Sequence, residues 1–152
     1  MRTWLTVTAS REVSVEVPAP PREVRDFYVD LHNIALIHPL VVSVTTVART
    51  STPDGYVQTY RVRDRIPLGP IILGTRYVAR LHVPTDGDVT AEARQFPFVR
   101  LNTVVSFEPA ADGTRVTERM RIAAPRLLAR VTVREAVTAH TAMLGNLRRH
   151  FT

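Results

Sequence analysis

The chain has 152 residues, 45% hydrophobic and 22% charged, with a net charge of +6. That balance suits one globular domain with a real core, read as a single domain over residues 1–152. No apolar run approaches the length that spans a bilayer, and the lack of cysteine excludes disulfides, thiol catalysis and Cys-ligated metals.

Residues 1–10 carry one basic residue near a short apolar patch, too short for a signal-peptide core and without a small-x-small cleavage site. They are expected to form a tail or an extra edge strand, and the protein is expected to be cytoplasmic. Arg11–Val17 alternates, with Val13, Val15 and Val17 on one face, which predicts a half-buried strand. Pro18-Ala19-Pro20-Pro21 ends it. Val24, Phe27, Tyr28 and Leu31 then recur at helical spacing behind a proline suited to a first turn. A second short helix is predicted over Asn33–Ile37, stopping at His38-Pro39. Strands are predicted over Leu40–Arg49, Gly55–Ile66, Ile71–Val83, Val89–Phe96, Val99–Glu108 and Thr114–Ala123, and a long helix from Pro125 to the C-terminus.

The turns alternate in character. Asp54-Gly55, Asp86-Gly87 and Asp112-Gly113 are hairpin signals. The links between them, Ile66–Ile71, Gln95–Phe98 and Ala123–Pro125, are apolar and Pro-bearing. In an antiparallel meander successive turns fall at opposite ends of the sheet, so the Asp-Gly turns share one end and the apolar links the other. Loops that face only water do not need Ile, Leu and Phe. The apolar end, where His38-Pro39 also belongs, is therefore the expected functional end.

Strand parity separates two faces. Arg61, Arg63, Arg65, Arg76, Arg80, Arg94, Arg115, Arg119 and Arg121 share a solvated face, while Tyr60, Val62, Tyr77, Leu81, Leu101, Val105, Phe107, Val116, Met120 and Ile122 share the other. The last helix must cover the apolar face. On it Ala129, Val133, Ala136, Val137, His140, Met143, Leu144, Leu147 and Phe151 form one wide stripe. Leu127, Leu128 and Val131 fall mostly off that stripe and join the apolar end of the sheet.

This order resembles the START/SRPBCC superfamily, which holds pollen-allergen-like proteins, START lipid-transfer domains and polyketide cyclase/dehydrase-like proteins. The resemblance covers roughly residues 10–152. It rests on Ser14-Val15-Glu16-Val17-Pro18-Ala19-Pro20 leading into Val24-Arg25-Asp26-Phe27-Tyr28, on Leu36-Ile37-His38-Pro39-Leu40-Val41, and on Gly113-Thr114-Arg115-Val116-Thr117. It implies an α+β helix-grip fold: a curved antiparallel sheet of six to seven strands around a long C-terminal helix, with two short helices after the first strand. It also implies a hydrophobic cavity between helix and sheet. The superfamily shares no catalytic set, so a role must be argued from the residues.

If Pro67–Pro70 is a four-residue loop, Tyr60 faces Tyr77 across the strands. If Thr85-Asp86-Gly87 is a three-residue loop, Tyr77 also faces Gln95. Two phenols and an amide then meet on the concave face, as ligand contacts or as a self-satisfied core patch. Glu118 shares the apolar parity, and a two-residue Asp112-Gly113 turn sets it opposite Phe107. It is a candidate general acid or base, or else it turns outward to pair with Arg. His140, mid-helix on the inward stripe, is the other acid–base candidate, or a core histidine satisfied by Tyr or Glu. Asp64 could orient a ligand at the mouth or pair with a neighbouring Arg.

His32 and His38 are six apart with no HExxH pattern, so no metal and no cofactor is expected. No GxSxG elbow, P-loop or GxGxxG motif is present. The arginine face lacks interleaved aromatics and reads as solvated rather than as a nucleic-acid surface.

The leading expectation is a carrier or binder of a small hydrophobic molecule such as a lipid, polyketide or isoprenoid. Its expected contacts are Tyr60, Asp64, Tyr77, Gln95, Phe107, Glu118, Met120, His140 and Leu144. Its expected mouth is Ile66, Leu68, Ile71, Phe96, Phe98 and Leu128. The alternatives are an aromatase/cyclase or dehydratase using Glu118 or His140, and an interaction module that works through the apolar tip over a filled core. That tip is a cavity mouth, a transient contact with an anionic membrane, with Arg126 and Arg130 near the headgroups, or a dimer interface, in a monomer or homodimer; or else its apolar residues close over one another as a local mini-core.

Overall fold

The structure, a computed structural model, describes residues 5–96 and 98–152, with the Leu68 side chain outside what is described. The elements run β1 (Thr6–Val17), α1 (Pro21–Tyr28), α2 (Leu31–Ile37), β2 (Val41–Thr52), β3 (Gly55–Leu68), β4 (Ile71–Pro84), β5 (Val89–Gln95), β6 (Val99–Ala110), β7 (Gly113–Pro125) and α3 (Ala129–His150). One antiparallel sheet has the order β1-β7-β6-β5-β4-β3-β2. The two short helices carry the chain from one edge of the sheet to the other. This is the expected α+β helix-grip arrangement, with seven strands and α3 packed on the sheet.

Local physics sets the ends. Pro20 and Pro21 start α1 with φ already fixed near helical values, and the Asp30 carboxylate caps α2 by accepting from the His32 amide. Bulges in β2 between Val41 and Ser43 and between Thr46 and Ala48 bend that edge strand. Residues 6–10 extend β1 along β7, with Thr6 opposite Pro125. That pairing keeps residues 123–125 extended. The Arg126 amide then donates to the Leu5 carbonyl, so α3 begins at Ala129 rather than at the expected Pro125.

Two hairpins correct the expected registers. The β3–β4 loop is Gly69-Pro70, not four residues, and Leu68 pairs with Ile71. Gly69 has φ +63, and proline supplies the negative φ that a II′ turn needs next. Pro67 fits inside β3 because the strand has run past the end of β2, whose last pairing is Val41 with Asp64. Tyr77 therefore faces Val62, and Tyr60 faces Ala79. At the β6–β7 hairpin Ala110 pairs with Gly113, so the turn is Ala111-Asp112 and Glu118 lies opposite Val105, not Phe107. Both slips are by two residues, so every side chain keeps its face. The β4–β5 register does set Tyr77 opposite Gln95.

The core sits toward the Asp-Gly end. Val17, Val24, Ile34, Val105, Val116, Met143, Leu144 and Leu147 form one buried cluster between the helices and β1, β6 and β7. Tyr60, Val62, Leu81, Val83 and Val89 form a second on β3–β5. Half-buried Phe107 touches both. Buried residues on α3 begin at Ala139, so the first half of the helix is left over open space.

Candidate functional site

That space is a cavity of about 210 Å3 between the first half of α3 and β3–β6. Its wall is mostly apolar: Leu40, Ile66, Leu101, Ile122, Val131 and Ala136 are representative. Its rim includes Leu73, Phe96 and Leu128, all exposed at the Pro-rich end. A second space of about 100 Å3 lies deeper, among Tyr28, Ile34, Val62, Leu81 and Met143. His38, Tyr77, Ala93, Leu101 and His140 border both, so a collar with three polar members, His38, Tyr77 and His140, lies between an outer chamber and an inner one.

The collar is a set of interlocked polar groups. Glu118 on β7 is fully buried. One of its oxygens lies 2.9 Å from His140 Nδ1, and the other accepts from the Tyr28 hydroxyl. Burial alone would lower the pKa of His140. The Glu118 carboxylate outweighs it through charge and hydrogen bond, helped by Asp64, so the ring is more basic than an ordinary histidine. Burial, and then Glu118, push the Tyr28 phenol well above its usual range.

His38 is the opposite case. Its ring lies 5.5 Å from that of His140, edge to face. Burial and then the His140 charge lower its pKa to about 3. The Leu40 amide donates to His38 Nδ1 at 3.1 Å, so the neutral ring carries its proton on Nε2. Two neighbouring histidines are thus set to different protonation states.

On the facing strands Asp64 is buried, and its pKa rises to about 6, chiefly through burial; the Tyr77 hydroxyl and His140 hold it down in part. Burial and then Asp64 push the Tyr77 phenol far up. Among the described residues Asp64 Oδ1 has no hydrogen-bond partner, and the hydroxyl of Thr75, opposite Asp64 in the sheet, has none either.

Of the residues expected to contact a ligand, the structure brings Asp64, Tyr77, Gln95 and His140 to the outer cavity. Glu118 stands behind His140 and borders neither chamber. Tyr60 lies in the second core cluster, its hydroxyl 3.5 Å from the Val29 carbonyl. Phe107 packs edge to face on Tyr28. Met120 and Leu144 are buried in the core. Of the expected mouth, Ile66, Phe96 and Leu128 line the cavity. Ile71 and Phe98 are exposed at the same end, and the Leu68 side chain lies outside the described part. Sequence reasoning set His38 aside and did not single out Tyr28. His38 lies just before β2, at the apolar end where the sequence put it, but periodicity does not reveal that its ring lies against His140. Tyr28 shares an α1 face with Val24, so helical spacing could have flagged it as inward. Among the described residues no group of three or more His, Asp or Glu converges as a metal site would, and no helix is long and apolar enough to cross a membrane.

Several solved structures share this architecture. TTHA0849 from Thermus thermophilus superposes with a TM-score of 0.72 at 20% identity, covering 95% of this chain and 94% of that one. The Zhui aromatase/cyclase from Streptomyces gives 0.64 at 17% identity over 97% and 96%. The di-domain ARO/CYC BexL gives 0.68 at 22% identity, and there the match covers 95% of this chain and 50% of that one. At such identities these likenesses speak to the fold alone. No curated protein matches the chain in sequence. The family model for polyketide cyclase / dehydrase and lipid transport matches residues 8–152, from the first strand to the last helix. The chain therefore belongs to the polyketide cyclase/dehydrase and lipid transport family.

Proposed function

We propose that the protein binds a small hydrophobic molecule bearing a hydroxyl, and a carbonyl near it, in the cavity between α3 and the sheet, as a carrier or binder. One observation carries this reading: a mostly apolar cavity of about 210 Å3 has the buried carboxyl of Asp64 in its lining, and one oxygen of that carboxyl has no hydrogen-bond partner among the described residues. One water needs only ~10–15 Å3, so the space suits an organic molecule. Buried acceptors without partners are rare in native proteins and call for an explanation. A ligand hydroxyl would satisfy Asp64, and His38 Nε2–H and Nε2 of His140 are donors for a carbonyl. A filled core, which the interaction-module reading required, is at odds with this cavity.

The test is a matched pair of probes, 1-naphthol and 1-methoxynaphthalene, titrated into the full chain. The phenol should bind about tenfold more tightly, the worth of one well-made hydrogen bond, and Asp64→Leu should erase the preference. If neither probe binds, no hydrophobic dye binds and no ligand co-purifies, the carrier reading fails.

The Glu118–His140 contact favours a second reading, an enzyme of the aromatase/cyclase or dehydratase type. His140 borders the cavity, whereas Glu118 does not, so His140 would be the acid–base group and Glu118 would position it. Such a site would act through the neutral form of His140: Nε2 would take a proton from the carbon beside a bound ketone, leaving an enolate, and the imidazolium, after exchange with solvent, would return one to that carbon. Exchange of those protons in α-tetralone, followed by NMR in deuterated water, should then be accelerated and lost in His140→Gln. Exchange at the buffer rate leaves binding without chemistry.

A further inference from the structure

We infer that the Pro-rich end of the molecule is a docking surface for an anionic lipid bilayer. Its apolar residues do not close over one another. Leu127 is 97% exposed and Phe96 88%, and Ile71, Ile72 and Phe98 are exposed at the same end of the sheet, in the β3–β4 and β5–β6 hairpins. Contiguous exposed apolar side chains mark a contact surface. Phe98 adds a local sign: its φ is +61, a left-handed conformation that is costly for a bulky residue. The hairpin tolerates that cost and still leaves the ring in solvent.

Charge identifies the partner. Arg65, Arg100, Arg126 and Arg130 are exposed at this end, and among the described residues none of them has an ion-pair partner. Among the described residues the carboxylates at this end are Asp64, which is buried, and Glu135, which is half-buried and lies 3.9 Å from Arg134. Asp54, Asp86, Asp88 and Asp112 gather at the opposite end, in or beside the other turns. The apolar tip is therefore basic, whereas at the base Arg25, Arg115 and Arg148 stand among the acidic residues and the charges are mixed. A bilayer with anionic headgroups offers charge at its surface and hydrocarbon beneath, matching arginines around an apolar tip. A nucleic acid would leave the leucine and isoleucines without an apolar partner. The inference stands whether or not the cavity takes a ligand.

Cosedimentation of the full chain with vesicles tests it. Phosphatidylcholine vesicles containing roughly 30% phosphatidylserine should bind the protein, and pure phosphatidylcholine vesicles should bind it far more weakly. Raising salt from about 0.05 to 0.5 M should weaken anionic binding steeply. Arg126→Gln with Arg130→Gln should cost about thirtyfold in affinity. Leu127→Ser with Phe98→Gly should abolish binding without unfolding, since both side chains are exposed and glycine suits the backbone at position 98. Equal binding to neutral vesicles, or binding that survives both pairs of substitutions, overturns the inference. So does a dimer in sedimentation velocity that Leu127→Ser with Phe98→Gly dissolves, because the occupant would then be a second copy of the chain.

Discussion

The carboxyl of Asp64 and the imidazole of His38 face the same cavity, and burial drives each toward its neutral form, with opposite consequences for stability. Asp64 moves from its ordinary 3.8 up to about 6. Between those values the unfolded chain has lost a proton that the folded chain keeps, so folding stability is present below about 3.8 and is lost as pH rises through about 6. His38 moves from 6.5 down to about 3. There the unfolded chain takes up a proton that the folded chain refuses, so stability is present above about 6.5 and is lost as pH falls toward 3. Two variants separate these effects. Relative to wild type, Asp64→Asn should gain stability as pH rises from about 4 to above 6. His38→Asn, which keeps an acceptor for the Leu40 amide, should gain as pH falls from about 6.5 to 4. Urea unfolding at a series of pH values reads both, and differences that stay constant with pH would refute the assignment. Sequence parity pointed to Asp64, Tyr77 and His140, because a period of two or of 3.6 fixes which face a residue takes. For His38 and Tyr28 what the sequence did not supply is their partners: that Tyr28 reaches Glu118 and that His38 lies against His140 depends on how the short helices pack across the sheet. Periodicity carries no information about that packing.

At the scale of elements, the Asp-Gly pairs illustrate what a motif fixes and what it leaves open. Each does mark a hairpin. Yet Gly55 and Gly113 are the first residues of β3 and β7, and the turns themselves are Pro53-Asp54 and Ala111-Asp112. At Gly113 two demands add: its φ is +153, and a Cβ would lie 2.1 Å from the backbone oxygen of Val17, where the end of β1 passes. Gly69 has one: a Cβ there meets nothing within 4 Å, and only its φ of +63 demands glycine. The two positions should therefore respond differently to alanine. Gly69→Ala should cost about 1 kcal/mol, the usual penalty for a left-handed non-glycine residue. Gly113→Ala should cost about 2–3 kcal/mol, because backbone must move. Equal losses on chemical unfolding would contradict this. The two-residue slips have the same root: hairpin signals locate a turn to within a residue or two, and strand alternation cannot correct an even error.

Across the whole molecule, the division between a packed base and a hollow top is the feature that binding or chemistry would need. α3 packs its second half, with Met143, Leu144 and Leu147, into the core, and it holds Val131, Ala136 and His140 over the cavity. A chain shaped only for stability would fill that space, since the atoms lining a void forgo dispersion contacts on one side. Ala136 is half-buried on the cavity wall, and leucine is nearly as good a helix former as alanine. Ala136→Leu should place an isobutyl group in the outer chamber without disturbing the base. The added burial should stabilise the fold by about 1–2 kcal/mol, raising the melting temperature by about 2–4 °C for each kcal/mol. The same substitution should weaken 1-naphthol binding by about tenfold or more, because ligand and side chain compete for one space. Thermal unfolding and a probe titration on the same sample measure the two effects together. Higher stability with weaker binding would mean that the void is held open at a cost to the fold. Lower stability with unchanged binding would mean that the first half of α3 already lies close against the sheet and that the cavity is not where a ligand sits.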